Sequence, residues 1–266
     1  MLKKFIFDEG LMNRFFYRKL RRDIHLQNKV NPRYSGKLEL LMYEQGLPKY
    51  NYWIISKSFK AIKKYGIAQP KKICEFGAGT GFLAELFYNL TKIKPICIEI
   101  DQELNILINK KGFEVHSKLE ELEEKLDAVY TSNVLEHIED DVASLTEIYQ
   151  SLKKGGVLTI YVPALPFLFS GLDSKVGHVR RYRRRELLTK VNSAGFEVIS
   201  VRYCDSVGVI AALLTKIFGY MGKLGLGSRS TLWFYDEILF PVSKVLDKLG
   251  FEHLVGKNLF LVAIRL

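Results

Sequence analysis

The residues whose types and spacing could do chemistry gather first around a glycine-rich bend. Glu75-Phe76-Gly77-Ala78-Gly79-Thr80-Gly81 follows a short apolar run at 72–76 and leads into the helical pattern Phe82-Leu83-Ala84-Glu85-Leu86-Phe87. Glycines at the carboxyl end of a strand let backbone approach a ligand that side chains would block, and the helix that follows presents free N–H groups. A nucleotide-like ligand fits such a bend. The spacing is G-x-G-x-G, whereas the dinucleotide fingerprint G-x-G-x-x-G places its third glycine one residue later, for close helix–strand packing around a pyrophosphate. Eighteen residues past Gly81, Glu99 closes the next apolar run, Ile96-Cys97-Ile98. A carboxylate there can accept hydrogen bonds from both hydroxyls of a ribose.

A second group suits proton transfer and anion binding. Histidine titrates nearest neutrality, so it is the natural acceptor of a proton from a hydroxyl. His137 lies just after the apolar run 126–131, and His178 lies in a later loop where Asp173 could orient its imidazole. Each has a structural reading as well: His137 caps or packs a helix start, and Asp173 with His178 fixes the loop through backbone hydrogen bonds. Arg180, Arg181, Arg183, Arg184 and Arg185 form the densest basic run, suited to a bidentate grip on phosphate or carboxylate or to a solvated helix start. His25, His116 and His253 show no metal-ligand spacing and read as structural or surface residues, and no metal site is expected.

These residues need a scaffold, and the chain has room for one. With 266 residues, 48% hydrophobic and 26% charged, it matches a globular α/β domain with appendages and excludes wholesale disorder or a collagen-like repeat. From residue 71 short apolar runs alternate with helical patterns, as in βαβ units around a parallel sheet. Strands are expected near 72–76, 95–99, 113–117, 126–131, 156–162, 196–203 and 259–265, with helices near 81–91, 102–111, 141–152 and 184–194. Upstream, helical patterns cover 1–30, 38–45 and 52–65. Between the last two strands lie about 55 residues, too many for a hairpin loop. They hold the apolar stretch Val207–Met221 and a helical pattern over 232–249. The apolar stretch is shorter than the roughly 20 residues that cross a bilayer, which leaves a buried helix, a lid over substrate or an interfacial membrane contact.

Charge is divided along the chain. The net +11 resolves into +12 over residues 1–72, −10 over 73–150 and +9 over 151–266. An acidic middle favours a neutral or cationic ligand there, and basic arms favour an anionic partner or form solvated helix faces. Cys74, Cys97 and Cys204 are too few and too scattered for a disulfide framework or a Cys-x-x-Cys zinc site, so a reducing cytoplasm is expected. The first twenty residues lack the continuous apolar core of a secretory signal.

Taken together, Glu75–Gly81, Glu99, Ser132-Asn133-Val134-Leu135-Glu136-His137-Ile138 and Lys153-Lys154-Gly155-Gly156-Val157 resemble the motifs of class I S-adenosylmethionine-dependent methyltransferases. The resemblance implies a doubly wound, Rossmann-like seven-stranded sheet of order 3-2-1-4-5-7-6 with the last strand antiparallel. It implies an N-terminal helical extension over 1–66, a core over 67–205, a helical insertion over 206–258 and a final core strand over 259–266. S-adenosylmethionine is then the expected cofactor, held by Glu75, Phe76, Gly77, Ala78, Gly79, Gly81, Glu99, Ile100, Lys118, Leu119 and Asn133. The position that often holds the adenine amino group with an aspartate reads His116-Ser117-Lys118-Leu119, so backbone near Lys118 and Leu119 is expected to take that role. Tyr52-Trp53 is similar to an aromatic pair that precedes an arginine near the cofactor carboxylate, but only Lys57 follows here.

Val162-Pro163-Ala164, Asp173, Gly177-His178-Val179-Arg180-Arg181-Tyr182 and Gly195-Phe196, with the ending from Tyr235-Asp236 to Gly256-Lys257-Asn258-Leu259, resemble a bacterial subgroup linked to cell-surface polysaccharide or lipid modification. The resemblance implies O-methylation of a sugar, lipid-linked or other small-molecule acceptor, anionic in the fitting case, with His178, His137 and Asp173 as candidate catalytic residues. Transfer from a sulfonium is an in-line displacement that requires no metal or covalent intermediate. Basic residues beside Phe5, Phe15 and Phe16, together with Val207–Met221, suit a peripheral contact at the inner face of the membrane. The rivals are an RNA-directed methyltransferase, favoured by a pI near 9.4, and a cofactor-binding interaction protein without turnover. Ser132-Asn133-Val134-Leu135 lacks the Pro-Pro-aromatic cluster that resembles base-amino methylation sites.

Overall fold

The computed structural model describes residue 44, residues 46–218 and residues 228–266. The expected helix over 1–30 lies outside the described residues, as does the one over 38–45 apart from residue 44. Seven strands form one sheet: β1 (Ile73–Phe76), β2 (Ile96–Ile98), β3 (Val115–His116), β4 (Leu126–Ser132), β5 (Leu152–Pro163), β6 (Glu197–Cys204) and β7 (Asn258–Ile264). Their order is β3-β2-β1-β4-β5-β7-β6, with β1 to β5 parallel and β7 antiparallel to both neighbours. The expected topology is met.

Central strands read as apolar runs because both faces are covered, and β4 and β7 are buried along nearly their whole length. Edge strand β6 alternates instead, with Glu197 and Ile199 exposed and Val201 buried. Strand β5 starts four residues earlier than its expected span. Leu152 pairs with Leu126 before the register shifts, and Gly155 turns the chain at φ +75° with its N–H donating to the Arg265 carbonyl at 2.7 Å.

Helices α1 (Pro48–Tyr65), α2 (Phe82–Thr91), α3 (Gln102–Lys110), α4 (Asp141–Ser151), α5 (Gly171–Lys175) and α6 (Arg184–Ser193) precede β6. The largest core joins Val129, Leu158, Ile160 and Leu261 of the sheet to Leu145 and Ile148 of α4 and Leu187 and Val191 of α6. On the other face α1 packs against β4, β5 and α2, where Phe87 stacks on Tyr130 at 5.0 Å between ring centroids.

The insertion between β6 and β7 comprises α7 (Gly208–Phe218), α8 (Arg229–Phe234), a π-helical turn (Tyr235–Leu239) and α9 (Phe240–Lys248). Asp236 of the wide turn accepts from the Lys49 and Tyr50 N–H groups, both at 2.9 Å. It thereby caps α1, which begins with Pro48 and has no side-chain cap of its own. Helix α7 is not fully buried: Ala212 is covered, while Ile210 and Ile217 are 60% and 69% exposed. The helix packs on the segment after β5, where Lys216 donates to the Phe167 carbonyl at 2.5 Å.

Candidate active site

The glycine bend joins β1 to α2 with three left-handed residues, Gly77 (φ +78°), Gly79 (φ +54°) and Gly81 (φ +73°). L-residues with a Cβ avoid this region. Space is a second constraint at Gly77, where an added Cβ would lie 2.3 Å from Val134 Cγ2. The bend is fastened to the end of β2. Gly77 and Ala78 donate to the Ile98 carbonyl at 2.9 and 3.0 Å, and Gly79 donates to Glu99 Oε2 at 2.7 Å. The other carboxylate oxygen of Glu99 accepts from Asp101 N–H at 3.0 Å.

The remaining expected cofactor residues line the carboxyl ends of neighbouring strands. Asn133 follows β4 in the left-handed region at φ +54°, with an exposed side chain. Ile100 is 83% exposed beside Glu99, a free apolar surface for a base. Lys118 is exposed, whereas the Leu119 side chain belongs to the main core, which leaves backbone as what Leu119 can offer a ligand. Ala78 is buried and Phe76 half-buried, both packed inward. Lys57 lies elsewhere, with its ammonium against the Trp53 and Phe260 rings and 3.5 Å from Cys204 Sγ.

Beneath the bend the site is acidic. Glu75 is 2% exposed and receives the Tyr130 hydroxyl at 3.1 Å. Burial pushes its carboxyl well above the ordinary range against that bond, and the charges of Glu44 and Glu99 push it further. Glu44, which sequence reasoning missed, accepts the Thr80 hydroxyl at 2.6 Å. Burial raises its pKa to about 7, opposed by the Thr80 bond and the Lys111 charge. Its link to the bend spans 36 positions, so no local pattern marks it.

On the far side of β4, His137 and His178 meet edge to face with ring centroids 4.7 Å apart. Asp173 Oδ1 lies 2.9 Å from His178 Nδ1, and the same carboxylate takes both Arg181 Nε at 2.8 Å and the Ser170 N–H at 2.8 Å. Those bonds outweigh burial and hold Asp173 down at about 2. Asp173 therefore touches both the imidazole and its own loop, with its carbonyl accepting from His178 N–H at 2.8 Å. Burial lowers the His137 pKa to about 4, with the neighbouring His178 acting in the same direction. Glu136, to which the sequence pattern assigned no role, is fully buried beside them, and burial raises its pKa to about 8.

The arginine run divides. Arg180 pairs with Asp141 at 2.7 Å and Arg181 with Asp173, so neither is free to grip a ligand. Arg183, Arg184 and Arg185 instead line a cavity of about 490 Å³ together with Leu165, Phe167 and Tyr203. That lining offers cations beside apolar surface.

Such a sheet, glycine bend and acidic strand end place the chain among the doubly wound folds that bind nucleotide-like ligands at the carboxyl ends of their strands. Residues 50–201 match the family described as methyltransferase domain, and the chain belongs to that family. A Mycolicibacterium smegmatis protein assigned as a probable S-adenosylmethionine-dependent methyltransferase is 26% identical over 161 residues, 58% of this chain and 62% of that one. This chain thus spans less than two thirds of that relative's length. Among solved structures, a SAM-dependent methyltransferase from Archaeoglobus fulgidus superposes with TM-score 0.54 at 17% identity, covering 85% of this chain and 99% of that one. A Haloferax volcanii complex of the Trm112 methyltransferase activator with a methyltransferase gives 0.57 at 12% identity, covering 89% and 99%. A Haemonchus contortus phosphoethanolamine N-methyltransferase solved with S-adenosyl-L-methionine gives 0.50 at 15%, covering 82% and 56%.

The residues present fit that cofactor. Glu99 keeps acceptor capacity for a ribose after its two backbone bonds, because a carboxylate has about four lone-pair sites. Burial makes Glu44 and Glu75 resist ionisation despite the Lys111 charge, and a ligand bearing a sulfonium and an ammonium would add counter-charge there. S-adenosylmethionine, when bound, supplies the activated methyl group.

Proposed function

We propose that this chain transfers a methyl group from S-adenosylmethionine to a hydroxyl oxygen of a small-molecule, sugar or lipid-linked acceptor that carries negative charge. The observation that carries this reading is the Asp173–His178 pair beside the end of β4. Asp173 keeps the proton on Nδ1 of His178 and leaves Nε2 to accept one. The acceptor oxygen attacks the methyl carbon as the carbon–sulfur bond breaks, the sulfur keeps the bonding electron pair, and the hydroxyl proton passes to His178 Nε2.

The cavity lined by Arg183, Arg184 and Arg185 supports an anionic group on the acceptor, and its apolar flank of Leu165, Phe167 and Leu254 supports a lipid or polyprenyl-like portion. Helices α7 and α8–α9 support the same direction: Ile210, Ile217, Trp233, Val245 and Leu249 are each more than half exposed. Such a surface favours a peripheral lipid contact at the inner membrane face. Among the described residues no helix is long and apolar enough to cross a membrane. On this reading 67–205 and 259–266 form the catalytic core, with 206–258 as an insertion on the acceptor side.

Incubating the protein with methyl-labelled cofactor and a cell extract tests the proposal. Label entering a glycan or lipid fraction supports it. Label confined to RNA selects the RNA-directed rival, and cofactor binding with no transfer to any fraction selects a non-catalytic role.

A further inference from the structure

Glu136, His137 and His178 each bring one nitrogen or oxygen within 4.8 Å of the other two. Glu136 is 0% exposed, and neither of its carboxyl oxygens receives a hydrogen bond from another residue. A buried carboxylate left so is unfavourable unless it is paired or coordinates a cation. His178 Nε2 stands 3.8 Å from Glu136 Oε1, too far for a hydrogen bond. It is a few tenths of an ångström beyond the roughly 3.4 Å that separates two ligands about 2.1 Å from a tetrahedral ion.

The imidazoles are held from behind in the manner of metal ligands. His178 Nδ1 donates to the Asp173 carboxylate at 2.9 Å, and His137 Nδ1 donates to the Gly177 carbonyl at 3.2 Å. With Nδ1 engaged, Nε2 is the nitrogen each ring has left to offer a metal, and a carboxylate or carbonyl behind the ring is the usual support of a ligating histidine. Asp173 is anchored in turn by Arg181 and Ser170. The ligands are a neighbouring pair and a residue 41 positions later, which is why residue spacing gave no sign of a metal.

We propose that Glu136, His137 and His178 bind a divalent transition-metal ion of the zinc class. Two imidazoles and one carboxylate favour zinc-like ions over magnesium or calcium, and three protein ligands leave a position for water or an acceptor oxygen. Coordination occupies the His178 Nε2 that the base mechanism uses. A loaded site would polarise the acceptor hydroxyl, whereas a metal-free site would take its proton on the imidazole. Metal occupancy is read without turnover, so failure of this inference leaves the base reading standing, and the reverse holds too.

The full chain, stripped of metal by a chelator, is titrated with Co2+ and followed by visible ligand-field absorption, with Zn2+ as competitor. Expected is saturation at one Co2+ per chain, displaced by Zn2+. Glu136→Gln and His137→Gln should each weaken binding at least about tenfold, and Asp173→Asn about 10- to 100-fold. Far-UV circular dichroism and cofactor affinity report whether each variant is folded, and half-buried His137 gives a second variant should Glu136→Gln fail to fold. Absence of a saturable band, or a band unchanged in folded Glu136→Gln or His137→Gln protein, overturns the proposal.

Discussion

Glu99 Oε2 lies 2.7 Å from the Gly79 amide nitrogen, so the acid at the end of β2 is tied to the bend at the end of β1. One side chain thus fastens the glycine bend, and on the proposed reading it also receives the ribose of the cofactor. Glu99→Ala removes both roles. Hydrogen bonds to a charged group contribute about 1.5–3 kcal/mol each, so cofactor affinity should fall roughly 10- to 100-fold by calorimetry. Glu99→Gln should recover only part of it, because an amide whose oxygen serves Asp101 turns its NH2 toward Gly79 N–H. Gly79→Arg, at φ +54°, should abolish binding. Unchanged affinity in Glu99→Ala would remove the cofactor assignment.

Cofactor binding should depend on pH through Glu44. Its folded pKa is raised to about 7 by burial, whereas an unfolded glutamate titrates near 4.5. Ionisation of Glu44 thus opposes folding, and its contribution to stability is full below about pH 4.5 and is lost as pH rises through about 7. A cationic ligand prefers the ionised form. The dissociation constant for S-adenosylmethionine should therefore decrease from about pH 6 to about pH 8, and Glu44→Gln should flatten that trend while weakening binding at the upper end. Titration calorimetry at three pH values checks it, and an identical slope in the variant would assign the dependence to another group.

What was legible in the sequence was what is local in the chain. The bend and Glu99 stand out because glycines must follow a strand whose neighbour ends eighteen residues later, and strand order followed from the resemblance those motifs carry. Glu44 and Glu136 were illegible as site residues, since one reaches Thr80 across 36 positions and the other is defined by what fails to contact it. In sequence the arginine run is one unit, yet Asp141 and Asp173 claim its first two members and leave Arg183–Arg185 on the cavity. A basic run in sequence does not reveal which carboxylates will fold against it. The helix near 207–221 was placed correctly as far as the described residues go, but its exposed Ile210 and Ile217 depend on which partner packs beneath it.

His178→Ala separates turnover from cofactor binding. The imidazole lies beyond β4 from the glycine bend, so the variant should keep cofactor affinity within about twofold while kcat falls about 10²- to 10⁴-fold, the range of a general base. Asp173→Asn should give a smaller loss in kcat at equal cofactor affinity, because the asparagine keeps the loop bonds to Ser170 but no longer stabilises the imidazolium that forms. Single-turnover rates with a labelled acceptor fraction distinguish these outcomes. Full activity in His178→Ala would end the base assignment.

Asp141 couples stability to the acceptor side. Its carboxylate, 3% exposed, takes Arg180 and Lys190 at 2.7 Å each and the Tyr182 hydroxyl at 2.6 Å. Burial would raise its pKa, but the bonds from Lys190, Tyr182 and Arg180 outweigh burial and hold it below the ordinary range. The stabilisation is therefore present above the unfolded value near 3.9 and lost as pH falls through the lower folded one. Asp141→Ala removes the one carboxylate that Arg180, Lys190 and Tyr182 share and leaves them the weaker partners Glu139, Glu186 and the Leu135 carbonyl, so the loss should fall below the roughly 3–5 kcal/mol of a fully buried broken ion pair. The Leu135 carbonyl lies 3.1 Å from the same Tyr182 hydroxyl and can only share its single proton with Asp141, while Val179 N–H donates to the Glu136 carbonyl at 2.9 Å. These bonds hold the 164–182 segment against 135–137, so loosening Tyr182 should separate His178 from His137. The variant is then expected to lower the urea midpoint at neutral pH, to flatten stability against pH below about 4, and to reduce kcat with little change in cofactor affinity. Wild-type kcat alongside the lowered midpoint would show that the histidine pair is held without Tyr182.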